Sequence, residues 1–309
     1  MKATDSTPVS GTQYTLQHGP YTASIASVGA SVRYLRHNDR DLVVPYDAHE
    51  IRPSFRGAVL VPWPNRIVDG KYSFNGKDFE LALTEPKRSH ALHGLLGWID
   101  WTLVEQTDAS VRLGAVVVPQ KGYPFRLEVE VLYMLDDDGL STTITAVNPG
   151  PSAAPYGASA HPYLVAGDGL VDDWTLQVPA SKVLQVTEDR LIPTTLTDVA
   201  SSSDLDFREP RVIGSTFADH AYTGVQYDDD GAATVSVRAA DGRGAAITFD
   251  SACPWMQIHT ADKPNPAVSR LGLAAEPMTC PPDAFNSGTD LIVLEPGDTH
   301  SVSWRIHAL

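Results

Sequence analysis

The side chains best suited to chemistry are a carboxylate and an imidazole far apart in the chain. Glu276 lies in LGLAAEPMTCPPD, between an apolar run and Pro277, which predicts a carboxylate at a strand end. Apolar surroundings raise a carboxylate pKa, the property a general base needs near neutrality; a strand-end surface charge is the plain alternative. His161-Pro162-Tyr163 follows Gly157-Ala158-Ser159-Ala160, whose small side chains would leave the imidazole accessible. Asn65-Arg66 follows the apolar stretch 58–61, and together the pair can donate several hydrogen bonds to hydroxyls or a carboxylate. A solvated loop arginine is the alternative there. His93 precedes Gly94, with Trp98 five residues on, so a donor and an aromatic platform are expected to face one cleft. A structural histidine beside a core tryptophan is the competing reading.

Other patterns fall away. Gly157-Ala158-Ser159-Ala160-His161 lacks the last glycine and the strand-helix setting of a serine nucleophile elbow. His90 and His93 have no third ligand at metal spacing, and no glycine-rich phosphate cradle follows a strand, so neither a metal nor another cofactor is expected. The net charge of −15, with no dense Lys/Arg cluster, argues against nucleic acid and anionic membranes as partners. Residues 1–16 carry no apolar leader core and no run approaches the roughly 20 apolar residues of a membrane span, so the expected location is cytoplasmic. Two cysteines, Cys253 and Cys280, read as free thiols.

The elements that must position these residues are strands. Residues 72–81 form two alternating segments around Asn75-Gly76, the signature of a two-residue hairpin. Phe125, Leu127, Val129 and Val131 alternate with charged residues, and the turn at 136–139 leads into a second hairpin partner over 140–147. A third hairpin is expected over 234–249 around Asp241-Gly242. A fourth is expected over 291–306 around Pro296-Gly297-Asp298, with Val302, Trp304 and Ile306 on one face. No capped helical repeat and no linker interrupt this pattern, which predicts an all-β chain folded as one domain over 1–309, a large antiparallel β-sandwich.

Taken in order, Asn65-Arg66-Ile67, Ala91-Leu92-His93-Gly94, Gly122-Tyr123-Pro124, His161-Pro162-Tyr163, Asp219-His220, Gln257 and Glu276 before Pro281-Asp283 resemble the aldose 1-epimerase, or galactose mutarotase, family over nearly the whole chain. The resemblance implies a sandwich of the galactose mutarotase type and a small-molecule sugar as partner. It implies Glu276 as general base and His161 as general acid, with Arg66, His93 and Asp219 binding sugar hydroxyls and Asn65 and Gln257 in support. Trp98 and Tyr163 join the expected sugar-binding set. The chain departs from the commonest family pattern at 157–160, at Leu164 and at 60–64, so galactose preference is not implied.

The implied reaction is interconversion of α and β anomers of a free aldohexose by acid/base ring opening and reclosure, with no cofactor. Three alternatives remain at this point: a non-catalytic carbohydrate-binding protein, a glycoside hydrolase pairing Glu276 with Asp219, and an epimerase of a 6-phospho or sulfonated hexose. The last needs an extra cationic pocket, and sequence does not place Arg52, Arg56 or Lys87 in one. An acidic surface suits a monomer or a sheet-edge homodimer.

Overall fold

A computed structural model describes residues 7–309, so the expectation for 1–16 lies partly outside the described residues. A nine-stranded antiparallel sheet runs in the order Thr102–Gln106, Ser110–Val117, Leu127–Asp136, Gly139–Val147, Thr299–Ala308, Gly244–Asp250, Ala232–Arg238, Thr175–Gln177 and Arg211–Val212. A six-stranded antiparallel sheet runs Tyr163–Leu164, Leu273–Met278, Trp255–His259, Asp219–Val225, Ala180–Val186 and Pro193–Asp198. Met256, Ile258, Leu273 and Ala275 of the smaller sheet join one apolar cluster with Val129, Val131, Val235 and Trp304 of the larger. Two sheets closing on one core make the expected all-β sandwich.

Period-two alternation then dictates what the other face of the six-stranded sheet carries. With Tyr222, Met256, Ile258, Leu273 and Ala275 turned into the core, Asp219, Gln257, His259 and Glu276 point away from it. That outward face forms the floor of the cleft described below.

Three expected hairpins are present. Lys71–Phe74 pairs with Lys77–Glu80 across Asn75-Gly76, where φ is +49° and +72°, the left-handed pair such a turn requires. Leu127–Asp136 pairs with Gly139–Val147, and Ala232–Arg238 with Gly244–Asp250. The fourth expectation is corrected. Ile292–Leu294 pairs with Ala154–Tyr156, whereas Thr299–Ala308 lies between Gly139–Val147 and Gly244–Asp250, with Val302, Trp304 and Ile306 buried as expected. Buried Asn148 is the reason. Its backbone bonds Gly297 and Asp298, and its side chain donates to the Leu294 carbonyl oxygen, so the turn passes the chain between two sheets.

Cys253 and Cys280 are buried free thiols. Among the described residues, no helix is long and apolar enough to cross a membrane.

Candidate functional site

A cleft of about 330 Å³ opens over the outward face of the six-stranded sheet. Glu276 sits in the middle of Leu273–Met278, opposite Gln257, not at the strand end expected from Pro277. It is 2% exposed, which also rules out a surface charge. Pro277 is accommodated in the ladder opposite Met256.

His161 reaches the cleft from the short connection between Ser159–Ala160 and Tyr163–Leu164. Its backbone is fixed at both ends, N–H to the Ala58 carbonyl and carbonyl to the Gly57 N–H. Its ring stacks on Tyr163, centroids 4.8 Å apart and planes within 8°, and Tyr163 is anchored by its hydroxyl donating to the Ser54 carbonyl. The small residues before His161 do not clear a path to it, which corrects the expectation from sequence. They are buried: a Cβ on Gly157 would press on Cys280 and Pro64, and Ser159 pairs with Leu60. They permit close packing behind the site.

His161 Nε2 lies 3.5 Å from Glu276 Oε1. Burial pushes Glu276 well above the ordinary carboxylate range, Asp219 pushes it further and Arg66 opposes. Burial, then the nearby His93, His259 and Lys263, pushes His161 well below the ordinary imidazole range. Both shifts favour the uncharged form of each partner. Glu276 Oε2, His161 Nδ1 and Gln257 Oε1 are all buried without a hydrogen-bond partner among the described residues. Buried polar atoms are nearly always paired, so the unpaired ones on Glu276 and His161, which line the cleft, mark where a polar ligand would bond.

Asn65 and His93 face each other beyond the ends of the paired strands Arg66–Val68 and His90–Leu92. Both adopt left-handed backbone, φ +53° and +61°, and they are cross-bonded: His93 N–H to the Asn65 carbonyl and Asn65 N–H to His93 Nδ1. Such strain is held only where the surroundings enforce it. Gly94, φ +73°, lets the turn sit where a Cβ would strike the Val61 carbonyl. The bond to Nδ1 also sets the ring tautomer. Burial, then Arg66, lowers the His93 pKa to about 3, so the ring is neutral and its proton sits on Nε2. His93, His161 and Glu276 bring potential ligand atoms within 4.8 Å of one another, yet His93 offers a donor there, an arrangement suited to a hydroxyl oxygen rather than a cation.

Arg66 is a buried fork gripped by Glu85 at 2.8 and 3.2 Å, with Asp219 Oδ2 at 3.9 Å. Gln257 does not line the cleft; it donates to Asp219 Oδ1 at 2.7 Å from below. Burial pushes Asp219 up, but His259, Arg66 and the Gln257 donor outweigh it and keep the carboxylate ionised.

Trp98 is corrected. It is 51% exposed, lies outside the cleft lining, and its face carries the Arg52 guanidinium at 4.5 Å. The aromatic rings that line the cleft are Phe55, Tyr163 and Phe217; Phe55 lies 4.9 Å from the His93 ring and edge-on to Trp98. Of the three cations left unplaced by sequence, Lys87 lines the cleft. Arg52 is spent on the Val28 and Gly97 carbonyls, and Arg56 donates to the Pro45 carbonyl. Sequence reading missed Phe55, Glu85, Arg88, His259 and Lys263, all of which line the cleft. Only His259 carried a signal, since it lies two residues beyond Gln257 on the same strand face.

Comparisons with known proteins agree with this geometry. The aldose 1-epimerase family profile matches residues 12–307. The chain is 38% identical over 299 residues to the Uncharacterized protein YihR of Escherichia coli (strain K12), covering 96% of this chain and 94% of that protein. It is 25% identical over 230 residues to the galactose mutarotase of Mus musculus, covering 70% and 66%. The solved structure of the GalM/aldose epimerase homologue from C. elegans superposes with a TM-score of 0.84 at 20% identity, over 96% of this chain and 99% of that one. Galactose 1-epimerase from Lactobacillus acidophilus NCFM gives 0.78 at 16%, over 96% and 94%. The chain belongs to the aldose 1-epimerase family, and its fold is the galactose mutarotase-like sandwich.

Proposed function

We propose that the protein is an aldose 1-epimerase that interconverts the α and β anomers of a free aldohexose. The observation that carries this reading is the buried His161–Glu276 pair, 3.5 Å apart at the cleft, in which Glu276 Oε2 and His161 Nδ1 have no hydrogen-bond partner among the described residues. Ring opening takes a proton from the anomeric hydroxyl and gives one to the ring oxygen. Glu276 as carboxylate takes the first and His161 as imidazolium gives the second, a charge arrangement reached from the neutral pair by moving its proton across the 3.5 Å gap. The aldehyde then rotates about C1–C2 and recloses with the roles reversed, which returns the proton. His93 donates from Nε2 to a sugar oxygen, Asp219 accepts from hydroxyls, Arg66 donates, and Asn65 and Gln257 hold their neighbours. The test is relaxation of optical rotation of freshly dissolved α-D-glucose and α-D-galactose. Acceleration supports the reading, and cleavage of an aryl glycoside instead would favour the hydrolase alternative.

A second reading keeps the chemistry and changes the sugar. Lys87 and Lys263 line the same cleft, and neither has a carboxylate within ion-pair distance among the described residues, on a chain of net charge −15. Lys263 is half-buried, and burial, opposed by Asp219, lowers its pKa. Two unpaired ammonium groups beside the acid/base pair suit a hexose bearing a phosphate or sulfonate away from C1. The same polarimeter decides. Under this reading Lys263→Met and Lys87→Met raise KM for the charged hexose far more than for glucose. A pair of variants with unaltered KM for the charged sugar argues for the neutral substrate, and a wild type inactive on both classes points to a protein that only binds.

A further inference from the structure

We propose that Glu85 is a positioning residue: it orients the Arg66 guanidinium and keeps it from closing onto Asp219. The proposal rests on the epimerase reading of the cleft.

Arg66 has five N–H groups to place. Nε and one hydrogen of Nη2 go to the two oxygens of Glu85 at 2.8 and 3.2 Å, and one hydrogen of Nη1 goes to Asn65 Oδ1 at 3.3 Å. Two remain, one on each terminal nitrogen. Asp219 Oδ2 is the next acceptor, at 3.9 Å from Nη2, too long for a hydrogen bond and short enough to become one with a small swing. Without Glu85, the strongest partner open to the fork is Asp219, and that pairing would occupy both a donor and an acceptor meant for sugar hydroxyls. A two-point grip by a carboxylate fixes the plane of a guanidinium as well as its distance. Glu85 also keeps the charge this grip requires, because Arg66 and Arg88 outweigh the burial that would raise its pKa and hold it ionised.

The turn that carries Glu85 does not need its carboxylate in order to fold. Residues 85–90 are closed by their own backbone, Glu85 N–H to the His90 carbonyl, with Arg88 N–H and His90 N–H both to the Glu85 carbonyl. From behind, Arg190 donates from Nε to the Arg88 carbonyl and pairs with Asp69, and His90 Nε2 donates to the Arg190 carbonyl. Arg88 also binds Glu85, at 2.8 Å, but it is itself held through this backbone. The Glu85 side chain is therefore free to serve Arg66.

The test is a double-mutant cycle of Glu85→Gln and Arg66→Ala in the anomer-exchange assay, with wild type measured first on the sugar it accelerates. Glu85→Gln alone is expected to lower kcat/KM about 10-fold to 100-fold, chiefly through KM, the scale of a lost charged hydrogen bond. In the Arg66→Ala background the same change is expected to cost less than about threefold, because the route through Arg66 has been removed. Equal losses in both backgrounds, or a loss below about twofold in wild type, overturn the proposal. A wild type that accelerates no sugar fails the epimerase reading instead, and a second readout then stands alone. The Arg66 Nε–H resonance is expected to be visible and slow to exchange at pH 8 in the full chain and to broaden away in Glu85→Gln. Persistence of that resonance in the folded variant overturns the positioning role without any assay of activity.

Discussion

Replacing Gln257 by leucine removes a residue outside the cleft lining that holds Asp219, the carboxylate proposed to bond the sugar. Its Nε2 is 2.7 Å from Asp219 Oδ1, and this is the one hydrogen bond to that carboxylate among the described residues; Arg66 and His259 both stand at 3.9 Å. A hydrogen bond to a charged group is worth roughly 1.5–3 kcal/mol. If Asp219 bonds the sugar in the transition state, losing its tether is expected to lower kcat/KM about 10-fold to 150-fold, the same energy read as a rate. Asp219 also loses one of the contributions that hold its pKa below the ordinary value, while His259 and Arg66 remain to favour the carboxylate. The loss at neutrality is thus one of aim, not of charge. Measured by polarimetry or by exchange NMR between anomers, with unfolding midpoint as control, Gln257→Leu should show this drop in a folded protein. A folded variant within twofold of wild type would falsify the role given to Asp219.

Further outcomes follow from the same geometry. Because burial raises Glu276 and lowers His161, the one-proton state of the pair gains a second proton only well below the ordinary imidazole value of 6.5 and loses its proton only well above 4.5. The loss of kcat/KM on acidification that comes from protonating His161 should therefore be centred below pH 6.5, and a half-drop on acidification centred at 6.5 would show an unshifted histidine. Gly94→Ala forces a side chain at φ +73° toward the Val61 carbonyl, so chemical denaturation should show a loss of at least about 2 kcal/mol, and a neutral result would mean the His93 turn is not constrained as described. Trp98→Ala should leave KM within about threefold, since the ring stacks on Arg52 outside the cleft; a tenfold rise would return Trp98 to the sugar.

Legibility from sequence followed the range of the interaction. Asn75-Gly76 and Asp241-Gly242 declare their hairpins because the turn and both strands lie within one local window. Pro296-Gly297-Asp298 has equally good turn chemistry, but its strands find partners at 154–156 and at 139–147 and 244–250, and nothing local records that choice. Glu276 was mislocated for a related reason: Pro277 reads as a stop signal, whereas the ladder tolerates it opposite Met256. The proposed acid/base pair was visible through the family resemblance, and its proximity came only from the three-dimensional fold. Lys263, Lys87 and Glu85 sit on loops that converge from separate parts of the chain, so their shared cleft has no sequence period to betray it.

The central claim is that one buried pair, His161 and Glu276, opens and recloses a sugar ring. The most direct measurement follows optical rotation of α-D-glucose, α-D-galactose and a 6-phospho or sulfonated hexose with wild type, Glu276→Gln and His161→Ala at near-neutral pH and low buffer. Wild type is expected to speed relaxation of at least one sugar, and either folded variant to lose roughly 100-fold to 10,000-fold of that rate. A variant that keeps the wild-type rate on that sugar, or a wild type that accelerates none of them, would contradict it.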